Sequence, residues 1–195
     1  MNVLLVDNKS AHLERLTALI GEYIDGGKIK QIVPEEINDK SMEWADLVVV
    51  SGGQGRSVLR NRRVFDEMVK QIEKHRKPTI GICLGAEAIA VFFGAEMHQL
   101  PVRRVGNVRI FPTGNKLGLA KEGFLAYEFH RWVIRRNLPK VLEEIAFSKD
   151  GVEIFKHQKY PIWGLQFHPE VRIRDNPGHT VFGMLLVKLG LADNA

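Results

Sequence analysis

The seven residues Thr79-Ile80-Gly81-Ile82-Cys83-Leu84-Gly85 constrain this chain more than any others. An apolar run ends on a cysteine that has a glycine two positions to either side, and a helical pattern over residues 85–93 follows. That is the spacing of a strand–turn–helix elbow, G-x-S-x-G, with sulfur in place of oxygen. The turn is sharp and its neighbours crowd the backbone, which is why both flanking positions are glycine. Open α/β sheets place their sites at the carboxyl ends of the strands, where such a cysteine would project. The N–H groups that open the following helix would face the sulfur, favour the thiolate and lower its pKa.

The rest of the N-terminal half has the periodicity of such a sheet. Residues 2–7 (NVLLVD), 47–51 (LVVVS) and 79–83 read as short apolar, buried strands, and residues 30–33 as a further strand. Between them, residues 11–23 carry Leu13, Leu16, Leu19 and Ile20 at helical spacing, and residues 60–75 carry Val64, Met68 and Ile72. Strands alternating with helices imply crossovers and a parallel sheet. The second half differs. Residues 102–111, 145–148, 152–157 and 162–167 read as strands linked by turns, with Gly151 at a hairpin, and residues 180–189 as a closing helix. The expected fold is α/β: an open, mostly parallel, flavodoxin-like sheet flanked by helices, with a small antiparallel extension. One domain over residues 1–195 accounts for it.

Composition narrows the class. Of 195 residues 45% are hydrophobic and 26% charged, which excludes disordered and fibrous chains. No apolar run approaches the roughly 20 residues of a membrane span. The opening MNVLLVDN lacks a basic start and a cleavage site, so a cytoplasmic location is expected. Cys83 is the single cysteine, so no disulfide can form within the chain and no cysteine-based metal cage is expected. Neither metal nor cofactor is implied. The net charge of +5 comes with one local cluster, Arg56, Arg60, Arg62 and Arg63. No nucleic-acid-binding motif accompanies it, and nucleic acid is not an expected partner. The cluster would instead suit an acidic partner surface, or be a solvated basic face.

A lone cysteine is usually an inert buried residue. Here Phe167-His168-Pro169-Glu170 offers it a proton carrier. Pro169 disfavours helical geometry at His168, and residues two apart on an extended chain point the same way. Glu170 would then hold the imidazole in one tautomer, the third member of a Cys-His-Glu triad. A third element, Ser51-Gly52-Gly53-Gln54-Gly55, follows an apolar strand directly. It lacks the forms of the phosphate-binding glycine loops. Its Gly53 N–H, with that of Leu84, is a candidate oxyanion hole.

SGGQG at 51–55, GICLG at 81–85 and GLQFHPEV at 164–171, in this order, resemble the class I (triad) glutamine amidotransferases, and the resemblance covers nearly the whole chain. It implies that Cys83 is nucleophile, His168 base, Glu170 orienter, and Gly53 and Leu84 oxyanion donors. It implies hydrolysis of glutamine to glutamate and ammonia, and transfer of the ammonia to a synthetase. In length and layout the chain is similar to stand-alone amidotransferase subunits, first those of a two-subunit GMP synthetase and second those of anthranilate synthase. A separate ATP-dependent synthetase chain is therefore the expected partner. Residues 126–133 (AYEFHRWV) fall where relatives have a loop over glutamine, which makes Phe129 and His130, with Gly85 and Glu87, the expected substrate contacts. Three positions depart from the family: Glu87 stands where relatives have Gln, Gln54 where they have Pro, and Phe129 where they have Ser or Asn. A Glu at position 87 is also similar to the γ-glutamyl hydrolases. A free-standing γ-glutamyl or amide hydrolase is thus the second reading, and a non-catalytic module of the same fold the third.

Overall fold

A computed structural model describes residues 1–54, 57–172 and 177–193. The first half runs β1 (Asn2–Val6), α1 (Leu13–Tyr23), β2 (Lys28–Ile32), α2 (Asp39–Trp44), β3 (Leu47–Val50), α3 (Arg62–His75), β4 (Thr79–Ile82) and α4 (Leu84–Phe92). The second runs β5 (Met97–Pro112), β6 (Phe124–Ile134), β7 (Leu142–Phe147), β8 (Val152–His157), β9 (Ile162–Leu165) and α5 (Gly178–Lys188).

β1, β3 and β4 are nearly continuous apolar runs because both of their faces are covered. Val3 and Leu5 share one core with Leu16, Leu19 and Ile20 of α1 and Phe182 and Leu185 of α5. Leu4 and Val6, pointing the other way, share a second core with Met68, Val69 and Ile72 of α3 and Ala86, Ile89 and Ala90 of α4. α2 is one and a half turns long, too short for a periodic signal. It is set by a reciprocal cap in which Ser41 N–H donates to the Asn38 side chain and Asn38 N–H to Ser41 Oγ, at 3.1 and 3.0 Å.

The strands form one sheet in the order β2-β1-β3-β4-β9-β8-β6-β5-β7. β2, β1, β3, β4 and β9 are parallel to one another, and every pairing from β9 through β8, β6, β5 and β7 is antiparallel. The expectation of a mostly parallel sheet is therefore corrected: the sheet is mixed, and its antiparallel part is not small. β7 also pairs with β8, so these four strands bend back on themselves. The larger second half has a definite cause. Residues 126–133, expected as a covering loop, lie within β6, which pairs with β5 along most of its length. β6 alternates buried and less buried positions, but two of the buried ones are Glu128 and His130, and these polar residues hide the alternation.

β9 positions the site. It pairs parallel with β4, with Ile82 beside Leu165, and the Cys83 N–H donates to Leu165 O at 2.7 Å. The residues after β9 are thereby laid against the elbow. Gly164 lets β9 approach β8: a Cβ there would lie 2.1 Å from the Phe155 ring, which faces it across the two strands. Gly164→Ala should accordingly cost about 1–3 kcal/mol of stability through overpacking, read as a lower denaturant midpoint at unchanged slope.

Candidate active site

Cys83 sits between β4 and α4 with φ 48° and ψ −109°, in the positive-φ region that non-glycine residues rarely occupy. The strain is held by the packing around it. A Cβ on Gly85 would lie 2.4 Å from Val50 O, and one on Gly81 would lie 2.9 Å from Ala86 N. The elbow therefore presses directly on the end of β3. The thiol is buried, and its pKa lies well above the usual thiol value. Burial is the main cause; the charges of Glu87 and Glu170 add to it, and the Leu84 N–H hydrogen bond opposes it. The expectation of a lowered pKa is corrected here: one helix N–H does not outweigh desolvation and two nearby carboxylates.

His168 and Glu170 lie on the segment that leaves β9, and the expectation that this segment is extended is corrected: residues 168–171 form a turn, with Pro169 and Glu170 in its middle and the Val171 N–H donating to His168 O at 3.2 Å. His168 Nδ1 is 2.7 Å from Glu170 Oε1, and both side chains are buried. The His168 N–H donates to Tyr127 O at 2.8 Å, tying this segment to β6. His168 and Cys83 converge over Gly52, where an added methyl would lie 2.9 Å from His168 Cε1 and 3.4 Å from Cys83 Cβ. Among the described residues His168 Nε2 is buried without a hydrogen-bond partner, so the imidazole is held on its Nδ1 side alone. His12, just before α1, stacks edge-on at 5.3 Å between ring centroids, and burial followed by the charge of His168 lowers its pKa.

The glycine turn after β3 is fastened to the end of β1. Asn8 N–H donates to Ser51 Oγ at 2.9 Å, and Asn8 Nδ2 donates to Ser51 O at 2.7 Å. A Cβ on Gly53 would meet Asn8 O at 2.4 Å, so only glycine fits there. Among the described residues, the Gly53 N–H has no backbone acceptor. Gly55 and Arg56 lie outside the described residues. Of the remaining basic cluster, Arg62 is committed to Asp66 at 2.8 Å.

A cleft of about 290 Å³ opens on Cys83. Gly53, Gln54, Leu84, Glu87, Arg103, Phe129 and His130 are among the residues that line it. Gly85 does not; it is packed beneath the elbow. Glu87 is buried in the wall and accepts a hydrogen bond from Gln166 Nε2 at 3.1 Å. Burial raises its carboxyl to about 6, against the smaller opposing effects of Gln166, His130 and His168. Behind it the acids continue: His130 Nε2 lies 3.1 Å from Glu128 Oε2, and Ser148 Oγ donates to Glu153 at 2.8 Å. Glu153 is pushed well up by burial and by the Glu128 charge.

Sequence reasoning misses several of these residues. Gln166 stands inside the GLQFHPEV stretch, but nothing in the stretch marks it as a partner for Glu87. Glu128 shares the inward face of β6 with the expected contact His130, a period-2 signal that a loop assignment conceals. Arg103 carries no motif. Nor, among the described residues, are three or more His, Cys, Asp or Glu side chains grouped to hold a metal ion, and no helix is long and apolar enough to cross a membrane.

Residues 4–187 match the family described as glutamine amidotransferase class-I, and the chain belongs to that family. It is 28% identical over 190 residues to a glutamine-hydrolyzing GMP synthase subunit of Thermoplasma volcanium, covering 96% of this chain and 89% of that one. It is 30% identical over 179 residues to anthranilate synthase component 2 of Saccharolobus solfataricus, covering 86% and 89%. The crystal structure of a putative GMP synthase subunit from Thermoplasma acidophilum superposes with a TM-score of 0.83 at 26% identity, covering 97% and 94%.

Glu87 makes stability depend on pH. Its carboxyl rises from 4.5 to about 6 on folding, so the folded chain holds a proton that the unfolded chain has already released. Stability is lost as pH rises through that window, by about 2 kcal/mol once both states are ionised. Glu87→Gln, which keeps an acceptor for Gln166, should stabilise the chain by up to about 2 kcal/mol at about pH 8 and by little at about pH 4. Denaturation of both proteins across that range measures it.

Proposed function

We propose that the chain is a glutaminase subunit that hydrolyses glutamine through a Cys83 thioester and hands the ammonia to a separate ATP-dependent synthetase chain. The observation that carries this reading is the buried 2.7 Å contact of His168 with Glu170, on a segment that β9 lays beside the strained Cys83. Glu170 accepts a hydrogen bond from Nδ1–H, which leaves Nε2 as the base. Burial, and after it the charge of Glu87, opposes ionisation of the thiol. The thiol passes its proton to His168 Nε2 as the sulfur attacks the amide carbon of glutamine. The new C–S bond leaves an oxyanion, which the Gly53 and Leu84 N–H groups receive. His168 then donates its proton to the amide nitrogen, the C–N bond breaks and ammonia leaves. Water, giving a proton to His168, attacks the thioester and releases glutamate; the proton returns to the sulfur.

The 195 residues act as one domain in this reading, and acceptor chemistry lies on the partner. The likeness to GMP synthase subunits, which extends over nearly the full length of both chains, favours a GMP synthetase and hence a role in purine nucleotide synthesis. The comparable likeness to an anthranilate synthase component makes that synthase the second candidate partner. A free-standing γ-glutamyl hydrolase is the alternative, because Glu87, which lines the cleft, stands where the amidotransferases that the chain resembles have Gln.

Ammonia release from glutamine tests the assignment. Cys83→Ala should abolish it, and His168→Ala should lower it by about a thousandfold or more, since removing either leaves no proton-coupled attack. Glu170→Ala should leave more activity, because the imidazole is then misoriented but present. Near-normal turnover by His168→Ala would refute the triad. Turnover that is brisk in the isolated chain, and unchanged by any synthetase, would favour the free-standing hydrolase.

A further inference from the structure

The cleft has a feature that neither the elbow nor the histidine explains. The β5–β6 pairing breaks between Gln99 and Arg104: Gln99 faces Trp132, Arg104 faces His130, and residues 100–103 stand opposite Arg131 alone. Extra residues in one strand beside a site re-aim a side chain. This bulge is pinned by Arg131, whose Nε donates to Leu100 O and Nη2 to Pro101 O, both at 3.2 Å. The residue re-aimed is Arg103. Its guanidinium lies over the Phe129 ring, 5.0 Å from the centroid, and it lines the same cleft as Cys83. Its neighbour Arg104 is tied to Asp150 at 2.8 Å. Arg103 has no such carboxylate: among the described residues, its only partner is the face of Phe129. Stacking on an aromatic ring restricts a guanidinium while leaving its N–H fork to bind.

We infer that Arg103 receives the α-carboxylate of the substrate at the mouth of the cleft, a specificity-determining contact that rests on the glutaminase reading. The chemistry matches. A bidentate guanidinium–carboxylate pair is the strong, directional contact for such a group, and Glu87 supplies the opposite charge in the same cleft. Cleft walls of opposite sign suit an amino-acid zwitterion whose amide end reaches the sulfur. The Phe129 departure also acquires a purpose: a Ser or Asn at that position offers no ring for Arg103 to rest on. A purely partner-docking role for Arg103 is the competing outcome, and it leaves substrate discrimination by the isolated chain untouched.

The test is Cys83 labelling in the full chain with three probes. The first is a diazoketone analogue of glutamine, the second its counterpart lacking the α-carboxylate, and the third is iodoacetamide, which reads thiol reactivity alone. The wild-type chain should prefer the first probe over the second by about tenfold or more, the range expected for a charge-assisted contact. Arg103→Gln should erase that preference while the iodoacetamide rate is unchanged, and Arg103→Lys should keep part of it. In turnover, Arg103→Gln should raise KM for glutamine by about tenfold with a smaller change in kcat. A wild-type preference retained in full by Arg103→Gln, or no preference in the wild type, overturns the inference and leaves the glutaminase reading intact. Iodoacetamide labelling of Cys83 without labelling by the diazoketone overturns the glutaminase reading itself.

Discussion

The site depends on the pairing of β4 with β9. These strands are distant in sequence, and neither carries the chemistry alone. β4 ends in a cysteine whose ionisation burial opposes, and β9 leads to the buried His168–Glu170 pair. The parallel register, closed by the Cys83 N–H bond to Leu165 O at 2.7 Å, brings the two together. The close fit of Gly85 against Val50 O and of Gly53 against Asn8 O adds the ends of β3 and β1 to the same joint. Each is a backbone approach that a single methyl would obstruct. The strained φ of Cys83 survives because packing from three strands over-determines it.

Electrostatics around the thiol resist its ionisation. Desolvation raises the Cys83 pKa, and the charges of Glu87 and Glu170 raise it further. In the proposed mechanism such a thiol gives up its proton only during the attack, to His168 Nε2, which is buried without a hydrogen-bond partner among the described residues. The polar seam behind the cleft, from Gln166 through Glu87, His130 and Glu128 to Glu153, has another consequence. Buried acids crowded in this way cannot all carry charge cheaply: burial raises Glu87, and burial with the Glu128 charge raises Glu153. Glu87 therefore titrates within the pH range in which an enzyme works, whereas a glutamine at that position does not titrate.

Much of this is legible in the sequence wherever local pattern and tertiary role agree. The apolar runs of β1, β3 and β4 announce strands covered on both faces. The G-x-C-x-G spacing announces the elbow, because the glycines are required by contacts close to the turn itself. His168-Pro169-Glu170 announces that its two ends meet but not how: the expected extended chain is a turn, closed by the Val171 N–H bond to His168 O at 3.2 Å. The rest is hidden for physical reasons. β6 buries Glu128 and His130 where apolar residues would mark an inward face, so its alternation reads as irregular. The bulge at residues 100–103 follows from cross-strand register, which one strand's sequence does not encode. The direction of the thiol pKa is hidden too, because a helix N-terminus is a local feature, whereas Glu87 and Glu170 act on the sulfur through the fold.

The central claim is a covalent one: the amide carbon of glutamine is transferred to the Cys83 sulfur before water attacks. Acid quenching of the protein during turnover of glutamine, followed by digestion and mass spectrometry, tests it most directly. The account predicts a γ-glutamyl adduct on the peptide that contains Cys83, present during turnover, gone once glutamine is exhausted, and never formed by Cys83→Ala. Ammonia released at an undiminished rate by Cys83→Ala, or an adduct carried on any other residue, would contradict it.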